Sequence, residues 1–463
     1  MSIFDRLFRR LHCTPCLAVS ITTAVATCDS EDGVKVKVNN KHHIFATSAT
    51  AAAQGEDDAK TKVGLIGAVG NTPLIYIRSI SEATGCNVYG KAEFMNPTHS
   101  VKDRAAKYMI EEAERKGYLK PGGTIVEGTG GNTGVALAHL GVSKGYKVVL
   151  CMPNSISTEK INHQRRLGAE VHLQPLVPFS DPENYAKKAE IIGNERASEG
   201  ALFTNQFEND ANFQAHYNGT GPEIWIQTKG KIDGFVTSAG TGGTISGISA
   251  CLKNLNPKIK TYLVDPRGSV LYSYVTTGKV EVGPNTGNAP AMEGIGIARI
   301  TANMSKAKLD GAFISVDQEA VDMAYHLLKQ DGIYVGPSAA LNVTGAVKLA
   351  RKMGPGHTIV TVLCDSGDRY VSKLYNDSWL AENDLTPTPG AADDKSLSFV
   401  NCGNPYCTCG KHCSCLDCDC GKSNPKPKST SANESPTSAP VPTRKSKDEK
   451  YEVSTIDTMP TRK

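Results

Sequence analysis

Aromatic side chains are scarce, at 6% of the 463 residues with only two tryptophans, and charged residues make up just 21%. Charge this sparse excludes a highly charged, extended chain for the bulk of the protein. Neither sign of charge dominates: 51 basic residues face 47 acidic ones, a formal net charge of +4. Nothing in that balance calls for a nucleic-acid partner. Long apolar runs are missing too. The longest, residues 16–28, is shorter than the ~20 residues a membrane-spanning helix needs, which excludes a polytopic membrane protein. It could serve only as a weak membrane anchor. No fixed-period internal repeat is present. With 39% hydrophobic residues, the composition reads as an ordinary core diluted by polar appendages.

Four parts follow from the pattern. Residues 1–60 open with Phe4, Leu7, Phe8 and Leu11 at helical spacing and Arg6, Arg9 and Arg10 opposite them. An arginine-rich, amphipathic, nearly acid-free opening is similar to a mitochondrial import sequence, although Asp5 intrudes; a plain disordered, cytoplasmic terminus is the alternative. Residues 63–380 alternate strand-like runs (NVYGKAEF, TIVEG, YKVVLCMP, EVHLQP, FVTSAG, TYLVDP, TIVTVLCD) with helical patterns. This rhythm predicts an α/β fold of two lobes around a cleft, each a mostly parallel sheet flanked by helices. Residues 402–420 carry seven of the 14 cysteines, and residues 423–463 are Pro/Ser/Thr/Lys-rich and expected to be disordered.

Four segments of the middle region carry chemistry. In Asn96-Pro-Thr-His-Ser-Val-Lys-Asp-Arg104, Lys102 starts a predicted helix, where desolvation and the positive helix end would lower its pKa and favour nucleophilic use. Glu127-Gly-Thr-Gly-Gly-Asn-Thr-Gly134 and Ser238-Ala-Gly-Thr-Gly-Gly-Thr-Ile-Ser-Gly247 each join a strand to a helix. Both present backbone N–H groups and threonine hydroxyls at a helix N-terminus, an arrangement suited to anions. Neither fits the dinucleotide fingerprint, because Ile245 and Thr133 stand where a third glycine is needed, and neither has the Lys-Ser/Thr ending of a P-loop. Two such loops favour a phosphorylated cofactor and a carboxylate substrate. Ser338 in Val335-Gly-Pro-Ser338 precedes another helix, where an N-cap is the plain alternative.

Together these segments resemble the fold type II pyridoxal-phosphate enzymes, and within them the cysteine synthase (O-acetylserine sulfhydrylase) and cystathionine β-synthase family. Asn-Gln-Phe-Glu-Asn, Thr-Gly-Pro-Glu-Ile-Trp225 and Glu293-Gly-Ile-Gly296 strengthen the likeness. The resemblance implies that pyridoxal 5'-phosphate (PLP) sits in the cleft, held by Lys102 as the catalytic Schiff-base lysine that later moves the Cα proton. It implies Asn132 at the ring hydroxyl, Gly240, Thr241, Gly242, Gly243 and Thr244 around the phosphate, and Ser338 at the ring nitrogen. Thr129, Gly130, Gly131 and Thr133 would bind the substrate carboxylate, with Gln206 lining the pocket. A homodimer is the family's usual assembly. Three departures bear on substrate and rate: Gly130 replaces a serine, Pro337 and Ala340 alter the Gly-x-Ser turn, and His99 precedes Ser100.

The cysteines read C-x4-C-x-C-x3-C-x-C-x2-C-x-C: Cys402, Cys407, Cys409, Cys413, Cys415, Cys418 and Cys420. This spacing resembles a metallothionein-type module for soft ions (Zn, Cd or Cu(I)), with a redox-sensitive or disulfide-linked tail as the alternative. The expected activity is PLP-dependent synthesis of L-cysteine from O-acetylserine and sulfide. A cystathionine β-synthase-like condensation of serine with homocysteine, or a non-catalytic metal-buffering scaffold, remain the other readings. The polar residues 386–398 are expected to be too hydrophilic to pack, leaving the cysteine segment independent of the core.

Overall fold

Parallel strands covered on both faces need nearly continuous apolar runs, and the chain supplies them. Four of the five residues of β3 (Thr124–Gly128) and six of the seven of β4 (Lys147–Pro153) are buried. With β5 (Glu170–Gln174) and β6 (Ala201–Phe203) they form a four-stranded parallel sheet in the order β5-β4-β3-β6. The structure, a computed structural model, describes residues 61–404 apart from 157, 178 and 283–288.

The second sheet has six strands. β1 (Leu74–Tyr76) lies antiparallel on β2 (Asn87–Ala92), and the others are parallel: β7 (Gly234–Thr237), β8 (Lys260–Pro266), β9 (Gly311–Ser315) and β10 (Thr358–Leu363). The order is β1-β2-β10-β7-β8-β9. The chain therefore begins this sheet, leaves to build the smaller one, and returns to insert its last strand between β2 and β7. All seven strand-like runs of the sequence are strands. β1, β6 and β9 had no matching expectation, because three to five residues at an edge give too short a pattern.

Helices follow the strands: α1 (Arg78–Thr84), α2 (Lys102–Arg115), α3 (Asn132–Ser143), α4 (Thr158–Arg166), α5 (Tyr185–Glu195), α6 (Asp210–Ala215), α7 (Gly221–Gln227), α8 (Gly243–Leu255), α9 (Leu271–Thr277), α10 (Asp317–Asp331), α11 (Pro337–Met353) and α12 (Asp377–Glu382). α11 is buried without interruption from Pro337 to Ala350, as a helix enclosed by the core must be. It buries even Lys348, whose ammonium pairs with Glu319 of α10 at 2.7 Å.

The packed region does not end near residue 380, and the expectation for residues 386–398 is wrong. Leu385, Ala391, Leu397 and Val400 are buried against α10 and α11. Polar groups of the stretch are satisfied rather than solvated. Asp322 accepts from the Thr388 amide and hydroxyl, both at 2.8 Å, and Arg351 donates to the carbonyls of Ser396, Leu397 and Val400. Lys348 donates to Asn401 Oδ1 at 2.7 Å, and the Ile314 amide donates to the Gly403 carbonyl at 2.9 Å. Counting polar residues overlooked these long-range partners. Of the seven clustered cysteines only Cys402 lies among the described residues; the other six, the amphipathic opening and the proline-rich tail lie outside them.

A chain ended at Asp394 loses Leu397 and Val400 and uncovers the Lys348–Glu319 pair, a cost of about 3–5 kcal/mol. We expect it to melt well below the full-length protein, whereas a chain ended at Asn404 keeps the full melting temperature and sheds any soft metal the cysteines carry. Equal melting temperatures for the two shortened chains would contradict the packing.

Candidate active site

Each helix that carries a predicted site residue has it within its first two positions. Lys102 is the first residue of α2, Asn132 the first of α3, Gly243 and Thr244 open α8, and Ser338 is the second residue of α11. Helix starts expose unpaired N–H groups and the positive end of the helix dipole. The starts of α2, α3 and α11 share Asp365 as a neighbour, and the start of α8 is linked to that of α3 through Thr241, Asn212, Gln206 and Thr133.

Lys102 is held by a loop with unusual supports. Asp103 accepts from the Thr98 amide at 2.7 Å and from its hydroxyl, and burial raises the Asp103 carboxyl to about 6. Arg104 is buried with both its ends occupied, donating to Glu93 at 2.7 Å and to Glu223 of α7 at 2.7 Å, while Lys91 reaches the same Glu223 at 2.6 Å. His99 sits at φ 60°, a left-handed conformation that costs a non-glycine residue about 1 kcal/mol and persists because these neighbours hold it. The Lys102 side chain itself makes no hydrogen bond or ion pair among the described residues. Burial lowers its pKa, with the nearby Cys364 and Asp365 acting in the opposite direction. Desolvation of this kind favours the uncharged amine, which is the nucleophilic form.

The loop at residues 129–133 and Gln206 meet as expected. The Thr133 hydroxyl donates to Gln206 Oε1 at 2.6 Å, and the Gly131 amide donates to Thr129 Oγ1 at 3.2 Å. Beneath them, buried Glu127 accepts from the Gln206 amide at 3.0 Å and the Thr204 hydroxyl at 2.6 Å, and burial lifts its pKa to about 7. Gly130 has a local cause: a Cβ there would stand 2.5 Å from Ile156 Cδ1. Ile156 fills the space that the family's serine would need.

Around Gly240, Thr241, Gly242, Gly243 and Thr244 the backbone is enclosed on three sides. Added Cβ atoms would approach the Gly294 carbonyl to 2.2 Å, the Met304 amide to 2.5 Å and Asn212 Oδ1 to 2.2 Å, and Gly242 has φ 88°. Asn212 donates to Thr241 Oγ1 at 3.0 Å, and Thr301 donates to the Thr241 carbonyl at 2.7 Å. Thr244 Oγ1 lies 3.2 Å from His216 Nε2, while His216 Nδ1 lies 2.9 Å from Thr220 Oγ1. His216 opens a π-helical turn, His216–Thr220, a departure from regular helix that often accompanies functional sites. Burial, reinforced by Arg104 and Lys102, pushes the imidazole pKa well below its ordinary value, so the ring is neutral.

Ser338 is not an N-cap. Gly336 caps α11 and Pro337 occupies the first turn, where its fixed φ suits the helix and its missing N–H is no loss. The buried Ser338 hydroxyl instead hydrogen-bonds Cys364, whose thiol burial pushes up to about 12.

The residues fit PLP on structural grounds. A glycine cup at a helix start suits a phosphate, a partnerless buried amine suits an aldehyde, and the buried Ser238 hydroxyl beside the cup has no hydrogen-bond partner of its own. Sequence reading missed Asn212, His216, Cys364, Asp365 and Arg369. The last three follow the end of β10, and their position at the carboxyl end of a parallel strand was the available signal. Among the described residues no group of three or more His, Cys, Asp or Glu side chains is placed to hold a metal, and no helix is long and apolar enough to cross a membrane.

The description "pyridoxal-phosphate dependent enzyme" belongs to the family model that matches residues 65–365. A cysteine synthase of Dictyostelium discoideum is 51% identical over 349 residues, covering 73% of this chain and 89% of that protein. The chain belongs to the pyridoxal-phosphate dependent enzymes. Cysteine synthase 1 of Emericella nidulans is 49% identical over 352 residues, covering 74% of this chain and 94% of its own. Among solved structures, an O-acetylserine dependent cystathionine beta-synthase from Helicobacter pylori matches with a TM-score of 0.61 at 31% identity, over 68% of this chain and 98% of that one. The fold is the expected type II arrangement of this PLP family.

Gly130→Ser restores the family's hydroxyl but collides with Ile156, and overpacking of this kind costs about 1–3 kcal/mol. We expect a lower urea midpoint for the single variant and its recovery in Gly130→Ser/Ile156→Ala. A single variant as stable as the parent would show that Ile156 does not confine this loop.

Proposed function

We propose that the protein makes L-cysteine from O-acetylserine and sulfide, with acetate as the second product. The observation that carries this reading is the buried, partnerless Lys102 amine at the meeting of four helix starts, in a chain about half identical to cysteine synthases. Bound PLP supplies an electron sink that lets a β-substituent leave and another take its place.

The chain's own residues do the rest. Lys102, its pKa lowered by burial, can hold the cofactor and move a proton at the substrate Cα. The loop of residues 129–133 at the start of α3 suits the substrate carboxylate, and Gln206 fixes the Thr133 hydroxyl by accepting from it. The glycine cup and Thr244 suit the phosphate without needing a cationic side chain. Ser338 offers the ring nitrogen a neutral partner, which tempers the electron sink and suits loss of a β-leaving group. Glu293, in the Glu293-Gly-Ile-Gly296 segment, accepts from Lys373 at 2.6 Å and pairs with Lys160 of α4.

A homodimer is the assembly the family resemblance supports, and sedimentation of the pure protein tests it. The arginine-rich opening supports delivery to mitochondria, testable by the location of a fusion to residues 1–60. The spacing of the seven cysteines supports a soft-metal module, for which the chain ended at Asn404 is the control.

The test of the reaction is a substrate panel, O-acetylserine or serine as donor and sulfide or homocysteine as nucleophile, with the products identified. Cysteine from O-acetylserine and sulfide is expected as the dominant product, and Lys102→Ala should form none. Cystathionine as the dominant product, or undiminished turnover by Lys102→Ala, would overturn the reading.

A further inference from the structure

Asp365 follows β10 and is fully buried. Its contacts reach the starts of three helices. It bridges to Ser100 just before α2, its carbonyl accepts from the Gly336 amide at the cap of α11 at 3.1 Å, and its Oδ2 accepts from Asn132 Nδ2 on α3 at 2.7 Å. The Tyr370 hydroxyl donates to the same Oδ2 at 2.6 Å. The site roles drawn from the family give Asp365 none, yet a side chain at Gly336 would come within 2.3 Å of its Oδ1, so the fit around it is close.

The other end of the Asn132 amide is occupied as well. Arg369 donates through Nη1 to Asn132 Oδ1 at 2.5 Å and through Nη2 to the Thr98 carbonyl, which lies in the loop that carries Lys102. A guanidinium can only donate, so the amide oxygen must face Arg369. That leaves Nδ2 facing Asp365, whose oxygen accepts. The orientation thus follows from the chemistry of two separate partners rather than from an arbitrary choice of amide flip. Asp365 takes one of the two Nδ2 hydrogens, and the second has no partner among the described residues.

We infer that Asp365 and Arg369 are positioning residues that clamp the Asn132 amide so that its second Nδ2 hydrogen is presented to the ring oxygen of the cofactor. The inference rests on the PLP reading above. The clamp also links α3 to the Lys102 loop, so the amine and the ring-oxygen donor are held in one register. Neither clamp residue needs to touch substrate.

The test uses the PLP-loaded protein and two readouts: the visible absorption band of the bound cofactor, and the rate of acetate release from O-acetylserine without sulfide. Asp365→Ala and Asn132→Ala should move the band in the same direction and each slow the release about tenfold, the scale of one charge-assisted hydrogen bond. Because both remove the same contact, the double variant should be no slower than Asn132→Ala alone. Asp365→Asn, which keeps an acceptor oxygen, should recover most of the rate. If Asp365→Ala does not fold, Arg369→Met tests the other side of the clamp by the same non-multiplying comparison with Asn132→Ala. Losses that multiply in the double variant, or a band that the clamp variants leave unmoved, overturn the inference. A parent protein with no visible band in the presence of PLP would overturn the cofactor reading itself, and this inference with it.

Discussion

The whole site depends on one electrostatic arrangement, the convergence of four helix N-termini at the carboxyl ends of parallel strands. A helix start is a partial positive charge with unsatisfied N–H groups. Four of them together create a region that favours anions and disfavours further cations. That region explains why the phosphate cup needs no lysine or arginine, and it acts in the same direction as the burial that presses Lys102 toward its neutral amine. It also explains why a carboxylate, Asp365, can be buried at the same point. Its hydrogen bonds from Asn132 and Tyr370 partly offset a desolvation that still raises its pKa.

Convergence of this kind must be held open against collapse, and charge pairs buried behind α2 do this. Arg104 occupies the turn after Lys102 and ties it to Glu93 beside β2 and to Glu223 of α7, with Lys91 completing two positive and two negative groups. Buried pairs are seldom strongly stabilising in themselves, but loss of one partner strands a charge and costs several kcal/mol. Their effect here is geometric. Glu223 lies in the Thr-Gly-Pro-Glu-Ile-Trp225 segment, and the π-helical turn just before it places His216 against Thr244 of the cup. The lysine end and the phosphate end of the site are therefore tied together through α7 and the π-helical turn before it.

How much of this could be read from the sequence depended on locality. Thr129, Gly130, Gly131, Asn132 and Thr133, and the run Gly240, Thr241, Gly242, Gly243, Thr244, were legible because strand, glycine turn and helix are contiguous. The same holds for Lys102 and for the two-lobed parallel fold, whose β3, β4 and β10 are nearly continuously buried. Groups defined by partners far away in the chain were not legible. Asp365 acquires its meaning from Asn132, 233 residues earlier, and His216 from Thr244. Residues 386–404 misled for the same reason: their composition is polar, yet Asp322, Lys348 and Arg351 supply the partners that let them pack. Ser338 was ambiguous between cap and site because both place a serine near a helix start, and only the position of Gly336 separates them.

The central claim is that Lys102, and no other lysine, meets the cofactor at this convergence. Borohydride reduction of the PLP-loaded protein, followed by proteolysis and mass spectrometry, tests it most directly. The account predicts a single phosphopyridoxyl label, on the peptide containing Lys102. A label on Lys91, Lys160, Lys373 or any other lysine in its place, or no label on a protein that forms cysteine, would contradict it.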